Sequence, residues 1–176
     1  MKNKNALVTG GCGFIGSNLA EKLSDEGFKV TVVDNMSSAR KDLDEFMKRN
    51  SDIEIIPACF SSDQILSRLS KKEFDFIFHN AAVPRVSYSV ENPALTTDIN
   101  VSKTARLMEG CIGNIKRFIF ASSSSVYGGA DVLPTPISHA KDPKSPYAWQ
   151  KSAIEDLIDV FCQLYEFDAI SLRYFN

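Results

Sequence analysis

Three groups of residues in this 176-residue chain are of types and spacings that could do chemistry. The first is Thr9-Gly10-Gly11-Cys12-Gly13-Phe14-Ile15-Gly16, with a G-x-G-x-x-G spacing from Gly11 to Gly16. Residues without a Cβ allow a tight turn and a close approach of backbone to an anion. A helix opening there would aim unpaired N–H groups and its positive dipole end at a phosphate. The second is Asp34, 18 positions after Gly16 and at the end of a β-branched run. A carboxylate there can accept hydrogen bonds from both hydroxyls of an adenosine ribose, and it would repel a 2′-phosphate. Together they point to a dinucleotide, and to NAD over NADP. Arg40 is the nearby residue that could instead take a 2′-phosphate.

The third group is Tyr147-Ala-Trp-Gln-Lys151 with the run Ser122-Ser-Ser-Ser-Val-Tyr127-Gly128. Tyrosine and lysine four apart share one helix face. A free phenol of pKa ~10 is ionised in about one part in a thousand at neutral pH. An adjacent ammonium favours the phenolate. Bringing Tyr147 near pH 7 takes roughly 4 kcal/mol, much of which Lys151 and a cationic nicotinamide ring could supply. Serine hydroxyls at the carboxyl end of a parallel strand stand where ligands bind in open sheets. Taken singly, each group has a plain structural reading: a tight turn, a cap before residues 35–38, a chance pair on a helix face, a capping loop.

The elements that must position these groups alternate. Strands are expected at 5–9, 29–34, 52–58, 74–78, 117–121 and 169–173. Helices are expected at 14–26, 39–50, 63–71, 93–110 and 147–165. Gly27 would end the first helix, Ser62 or Asp63 would cap the third, and Pro93 sits in the first turn of the fourth. A Pro-rich loop fills 132–146. This order argues for an α/β fold, a doubly wound parallel sheet of about six strands with helices on both faces.

Composition excludes other classes. The 44% hydrophobic content is enough for one core, which argues against global disorder. A net charge of −2 offers no basic stripe for nucleic acid. No apolar run reaches the roughly 18 residues of a membrane span. The start of the chain lacks the apolar h-region of a secretory signal, so a cytoplasmic protein is expected. Cys12, Cys59, Cys111 and Cys162 are widely spaced, and with His79 and His139 they form no zinc pattern and no disulfide framework.

In combination the motifs resemble the extended short-chain dehydrogenase/reductase family, within it the NAD-dependent epimerases and dehydratases, and most closely the UDP-glucose 4-epimerase group. The resemblance rests on Thr9 to Gly16, Asp34-Asn-Met-Ser-Ser38, His79-Asn-Ala-Ala82, Asn100-Val101, Ser122 to Gly128, Tyr147-x-x-x-Lys151 and Leu172-Arg-Tyr-Phe-Asn176. These run in order over nearly the whole chain.

The resemblance implies a role for each. Gly10, Gly13 and Gly16 would shape the pyrophosphate turn, with backbone N–H groups from Phe14 and Ile15. Asp34, Asn35, Ser37 and Ser38 would surround the adenosine ribose. Ala81 and Ala82 would pass under the cofactor, with Asn100 holding that segment. Tyr147 would be the base, Lys151 would bind the nicotinamide ribose, and Ser123 would stand at the catalytic Ser/Thr position. Ser125 would be a second substrate hydroxyl, Tyr174 and Phe175 would lie near the nicotinamide, and Asn176 would touch a sugar-nucleotide phosphate. The implied reaction removes the sugar 4-hydroxyl proton and the C4 hydride, turns the 4-ketose over, and returns the hydride to its other face with NAD regenerated.

Two positions depart from the family. Cys59 stands where an Asp often contacts adenine, with Asp63 nearby. Ser125 stands where dehydratases and decarboxylases carry an acid, which ranks elimination chemistry below epimerisation. The expected partner is a UDP-hexose, and two copies could pair through helices 93–110 and 147–165. Residues 1–176 are read as an NAD-binding Rossmann domain that stops before a smaller substrate domain. The alternatives are a non-catalytic NAD-binding module or sensor, a simple NAD-linked reductase, or another NAD-linked enzyme acting on nucleotide sugars.

Overall fold

In a strand, successive side chains point to opposite faces, so a strand buried on both sides is apolar throughout. The computed structural model describes residues 4–39, 42–129 and 132–175 and shows this in the central strands. Ala6, Val8, Val30 and Val32 enter one core with Cys12, Ala20, Leu23 and Phe46. Their neighbours Leu7 and Val33 enter a second core with Ile77, Phe118, Phe120, Leu107, Met108 and Ile154.

The sheet is parallel throughout. Its strands are β1 (Lys4–Thr9), β2 (Phe28–Asp34), β3 (Glu54–Pro57), β4 (Phe76–His79), β5 (Arg117–Ser123) and β6 (Ala169–Tyr174). Their spatial order is β3-β2-β1-β4-β5-β6. The chain runs outward from β1 to one edge, then crosses back to start β4 on the other side of β1. That reversal opens a crevice at the carboxyl ends of β1 and β4, where Thr9 lies opposite His79. Helices α1 (Phe14–Asp25) and α2 (Leu43–Arg49) follow the first two strands, and α3 (Asp63–Ser70) follows the third. Between β4 and β5 run α4 (Val86–Glu91), α5 (Pro93–Thr97) and α6 (Lys103–Cys111); α7 (Pro146–Leu164) leads to β6.

The architecture agrees with the doubly wound sheet read from the sequence, and several boundaries differ. The expected helix over 93–110 is broken by a π turn at Asp98–Ser102 between α5 and α6, and the short α4 precedes it. The helix expected over 39–50 is confined to Leu43–Arg49 within the described residues. β3 is confined to Glu54–Pro57, and beyond it the Ala58 N–H still donates to the Asp34 carbonyl at 3.0 Å. β5 runs on through Ser123 because β6 extends beside it, with Ser123 opposite Tyr174.

β5 and β6 have one packed face and one open face. Phe118 and Phe120 are buried under the helices, whereas Ile170 and Leu172 are 45% and 38% exposed. Phe118→Ala should therefore cost about 3–5 kcal/mol by urea denaturation, the range for a buried aromatic. Ile170→Ala should stay within about 0.5 kcal/mol. Equal losses for the two variants would contradict this two-faced packing.

Candidate active site

At the crevice, backbone packs on backbone. Gly10 has φ +66°, and a Cβ on it would lie 2.8 Å from both N and Cα of Ala81. A Cβ on Gly16 would lie 2.2 Å from the Gly10 carbonyl oxygen. Neither position accepts a side chain. Gly13 is the N-cap of α1 and supplies no side-chain cap. Phe14 and Ile15 stand exposed in the first turn, with N–H groups the helix itself cannot use. Uncapped donors at the positive end of a 12-residue helix form an anion-binding cradle.

The two walls of the crevice are joined by Thr9. Its Oγ1 accepts from the Ala81 N–H at 3.1 Å and pairs with His79 Nδ1 at 2.7 Å. His79 Nε2 pairs with Thr104 Oγ1 at 2.9 Å. Burial, with Lys151 adding to it, pushes the imidazole down to about 3, so it is neutral. Ala81 and Ala82 line the β4 side, and Val83 follows. Asn100 holds Val83 as a strand neighbour would: its Oδ1 accepts from Val83 N–H at 2.8 Å and its Nδ2 donates to Val83 O at 3.1 Å.

Asp34 ends β2 beside the glycine loop. Its Oδ2 accepts from Cys12 N–H at 3.0 Å and its Oδ1 accepts from Met36 N–H at 2.8 Å. Both bonds fix the carboxylate at the crevice rim. Asn35 Oδ1 accepts from the backbone and hydroxyl of Ser37, which orders the turn carrying Ser38. Cys59, past β3, is half-buried with its Sγ 3.4 Å from Ser61 Oγ. Burial pushes the Cys12 thiol up to about 11.

Tyr147, Lys151 and Ser123 converge at the same end of the sheet. Ser145 caps α7 by accepting from Ala148 N–H at 3.2 Å, and Pro146 fills the first helical position. Ser89 of α4 accepts from the Tyr147 N–H at 3.1 Å. Lys151 is 4% exposed; its Nζ donates to the Ala121 carbonyl at 2.7 Å and lies 4.6 Å from the Phe120 ring centroid. Burial pushes the ammonium down to about 8. Ser123 Oγ accepts from Ser125 N–H at 3.1 Å and donates to Ser125 Oγ at 3.0 Å.

Tyr147 departs from expectation. Burial pushes its phenol above the ordinary value, with only a hydrogen bond to Ser123 pulling it back. The Lys151 ammonium, 5.9 Å from the phenol ring centroid, is committed to the Ala121 carbonyl. In the protein alone the phenol is therefore firmly protonated. Tyr174 ends β6 opposite Ser123, and Phe175 is exposed beyond it. A cavity of about 300 Å³ opens between Ser124, Ser125, Tyr127, Leu133 and Phe175. Asn176 and Arg40 lie outside the described residues.

Gln150 and Glu155 are among the buried polar residues that escaped the sequence reading. Gln150 is fully buried: its Nε2 donates to Thr96 and Thr97 hydroxyls at 2.9 and 3.1 Å, and its Oε1 accepts from Asn100 Nδ2 at 2.8 Å. The π turn brings Asn100 inward to meet it. Glu155, one turn after Lys151, accepts from Ser122 and Arg173. The signal for Glu155 was its helical spacing, four after Lys151 and eight after Tyr147.

The model of a family described as "NAD dependent epimerase/dehydratase family" matches residues 6–176. A UDP-glucose 4-epimerase of Mycolicibacterium smegmatis is 33% identical over 92% of this chain and 52% of its own length. The solved UDP-N-acetylglucosamine 4-epimerase of Methanobrevibacter ruminantium M1, in complex with UDP-N-acetylmuramic acid, is 37% identical with a TM-score of 0.89. It aligns with 100% of this chain and 56% of that one. The UDP-glucose 4-epimerase of Brucella ovis in complex with NAD is 30% identical with a TM-score of 0.88, over 98% of this chain and 52% of that one. The chain thus spans about half the length of these relatives.

The buried ammonium yields a test. The folded pKa of Lys151 is about 8 against an ordinary 10.5. Between those values the unfolded chain binds more protons than the native one, so native stability rises with pH across the window. Urea denaturation from pH 8 to 10.5 should show a gain of up to about 3 kcal/mol that Lys151→Met lacks. Parallel pH profiles for the two proteins would mean the ammonium is not buried at a cost.

Proposed function

The chain belongs to the NAD dependent epimerase/dehydratase family, and on that premise we propose that the protein is an NAD-dependent nucleotide-sugar 4-epimerase acting on UDP-hexoses. In this reading residues 1–176 are one NAD-binding domain that also carries the catalytic side chains. The observation that supports it most is the convergence of Ser123, Tyr147 and Lys151 beside a crevice walled by glycine and alanine backbone.

The crevice fits a dinucleotide. A side chain on Gly10 or Gly16 would collide with backbone, and α1 leaves its first N–H groups for a ligand. Gly10, Gly13 and Gly16 with Phe14 and Ile15 would hold the pyrophosphate. Asp34, Asn35, Ser37 and Ser38 would hold the adenosine ribose, with Ala81 and Ala82 under the cofactor and Asn100 bracing them. Tyr174 and Phe175 would flank the nicotinamide. When bound, NAD supplies a reversible acceptor for the hydride of sugar C4.

The chain's own residues do the rest. Tyr147 acts in its phenolate form, having released its own proton to solvent, and it takes and later returns the proton of the sugar 4-hydroxyl. Ser123 hydrogen-bonds the same oxygen and helps hold the phenol proton in line. Lys151, buried one helical turn away, stabilises the phenolate once the phenol has given up its proton. Ser125 and Asn176 would contact the substrate. A second copy would pair through the exposed apolar residues Leu95, Val160 and Leu164 of α5 and α7. We assign it to the cytoplasm, in keeping with four free cysteines.

Calorimetric titration should show NAD binding at least tenfold more tightly than NADP, a difference of about 1.4 kcal/mol set by Asp34. Equal affinities would remove the role given to Asp34. Tyr147→Phe should abolish interconversion of UDP-glucose and UDP-galactose while NAD stays bound. Full activity in that variant would sink the assignment.

A further inference from the structure

Beyond the residues given roles above, one ion pair, its carboxylate buried and its guanidinium partly so, sits behind the catalytic serine. Glu155 of α7 is 5% exposed and takes Arg173 of β6 in two bonds, Nε to Oε1 at 2.9 Å and Nη2 to Oε2 at 2.6 Å. Ser122 Oγ donates to the same Oε1 at 2.5 Å. The other arm of Arg173 donates to Tyr127 Oη at 2.8 Å and to the Ile137 carbonyl at 3.2 Å. Lys141 Nζ lies 3.5 Å from Glu155 Oε2 and also pairs with Asp156. The Glu155–Arg173 pair thus joins α7, the end of β5, the turn over 124–127, the loop over 132–145 and β6.

The chemistry of the pair argues for placement more than for stability. A buried ion pair gains little net free energy over an apolar replacement, and its best-attested use is to specify one arrangement. Here the arrangement specified is the end of β5. Ser122 and Ser123 are consecutive, so fixing the Ser122 hydroxyl from α7 fixes the rotation of the strand end that carries Ser123. Ser123 is the residue that meets Tyr147. Glu155 lies on the same helix face as Tyr147 and Lys151, so one rigid helix sets both sides of that contact.

We propose that Glu155 is a positioning residue: through Ser122 and Arg173 it holds the Ser123 hydroxyl in register with the Tyr147 phenol. This rests on the epimerase reading for its catalytic meaning, but the placement can be measured without turnover.

The test is an NMR titration of the protein labelled with Cζ-13C-tyrosine, with and without NAD. Five tyrosines give signals, and Tyr147→Phe assigns the one of interest. Loss of the Ser123 hydrogen bond removes the group that lowers the phenol's pKa. Glu155→Gln should therefore raise the Tyr147 midpoint by roughly one unit. If the whole protein turns over UDP-hexose, kcat should fall about 10- to 100-fold with KM within about twofold, as for a misplaced catalytic group. The double variant Glu155→Gln/Arg173→Gln removes both charges of the pair. It should regain thermal stability lost in the single variant while keeping the raised Tyr147 midpoint. A midpoint unchanged in Glu155→Gln, or one that recovers with stability in the double variant, would overturn the proposal. If Glu155→Gln does not fold, Ser122→Ala deletes only the hydroxyl bond and should shift the midpoint in the same direction. Absence of turnover in the wild-type protein would count against the epimerase reading alone, since the titration reads Ser123 directly.

Discussion

A lysine ammonium taken out of water must be compensated where it sits, and at the carboxyl edge of this sheet much follows from how that is done. Lys151 spends its strongest hydrogen bond on the Ala121 carbonyl and rests over the Phe120 ring. Its charge reaches inward as well. Burial first, with a lesser push from that charge, keeps His79 uncharged. A neutral imidazole has one donor and one acceptor, which is what two flanking threonine hydroxyls can satisfy. Thr9 is thereby held in place, and Thr9 in turn holds the backbone of Ala81. The buried ammonium and the glycine-walled crevice are consecutive parts of one polar chain.

Helix α7 is the common support of that chain. Its successive turns reach different neighbours: Tyr147 meets Ser89 and Ser123, Gln150 meets α5 and Asn100, Lys151 meets β5, and Glu155 meets β6. Each of these polar contacts is made inside the protein, where an unmade bond would carry the full desolvation penalty. The helix can therefore shift little without breaking several of them together. A π turn at Asp98–Ser102 is part of the same fit, because it turns Asn100 toward both Val83 and Gln150.

What could be read from the sequence was local or patterned. The glycine loop, Asp34 and the Tyr-x-x-x-Lys pair declare themselves by spacing, and the alternation of short and long apolar runs gives the doubly wound sheet. Contacts between distant segments were not readable in this way. The side chain of Gln150 bonds residues 53 and 54 positions away, and Ser122 bonds Glu155 across 33. A glutamine on a helix is ordinarily solvent-facing, and nothing in the neighbourhood of Gln150 marks it as buried; for Glu155 only the helical spacing from Lys151 hints at it. The direction of the Tyr147 shift was missed for a related reason. Spacing shows that Lys151 is near the phenol, but only the fold shows that a carbonyl claims its charge while burial claims the phenol.

The strand order has a consequence for how the molecule assembles. Thr9 and Ala81 are 72 positions apart, yet their bond closes the crevice. β1 pairs with β2 through a short crossover, but its second edge stays bare until β4 arrives from beyond β3. Closing so long a loop is entropically slow, and parallel sheets with such distant pairings fold slowly. The second wall of the crevice thus depends on the longer-range pairing, and the glycine loop with Asp34 on the shorter one. Any ligand that touches both walls binds only the finished sheet, and by mass action it draws the folding chain toward completion.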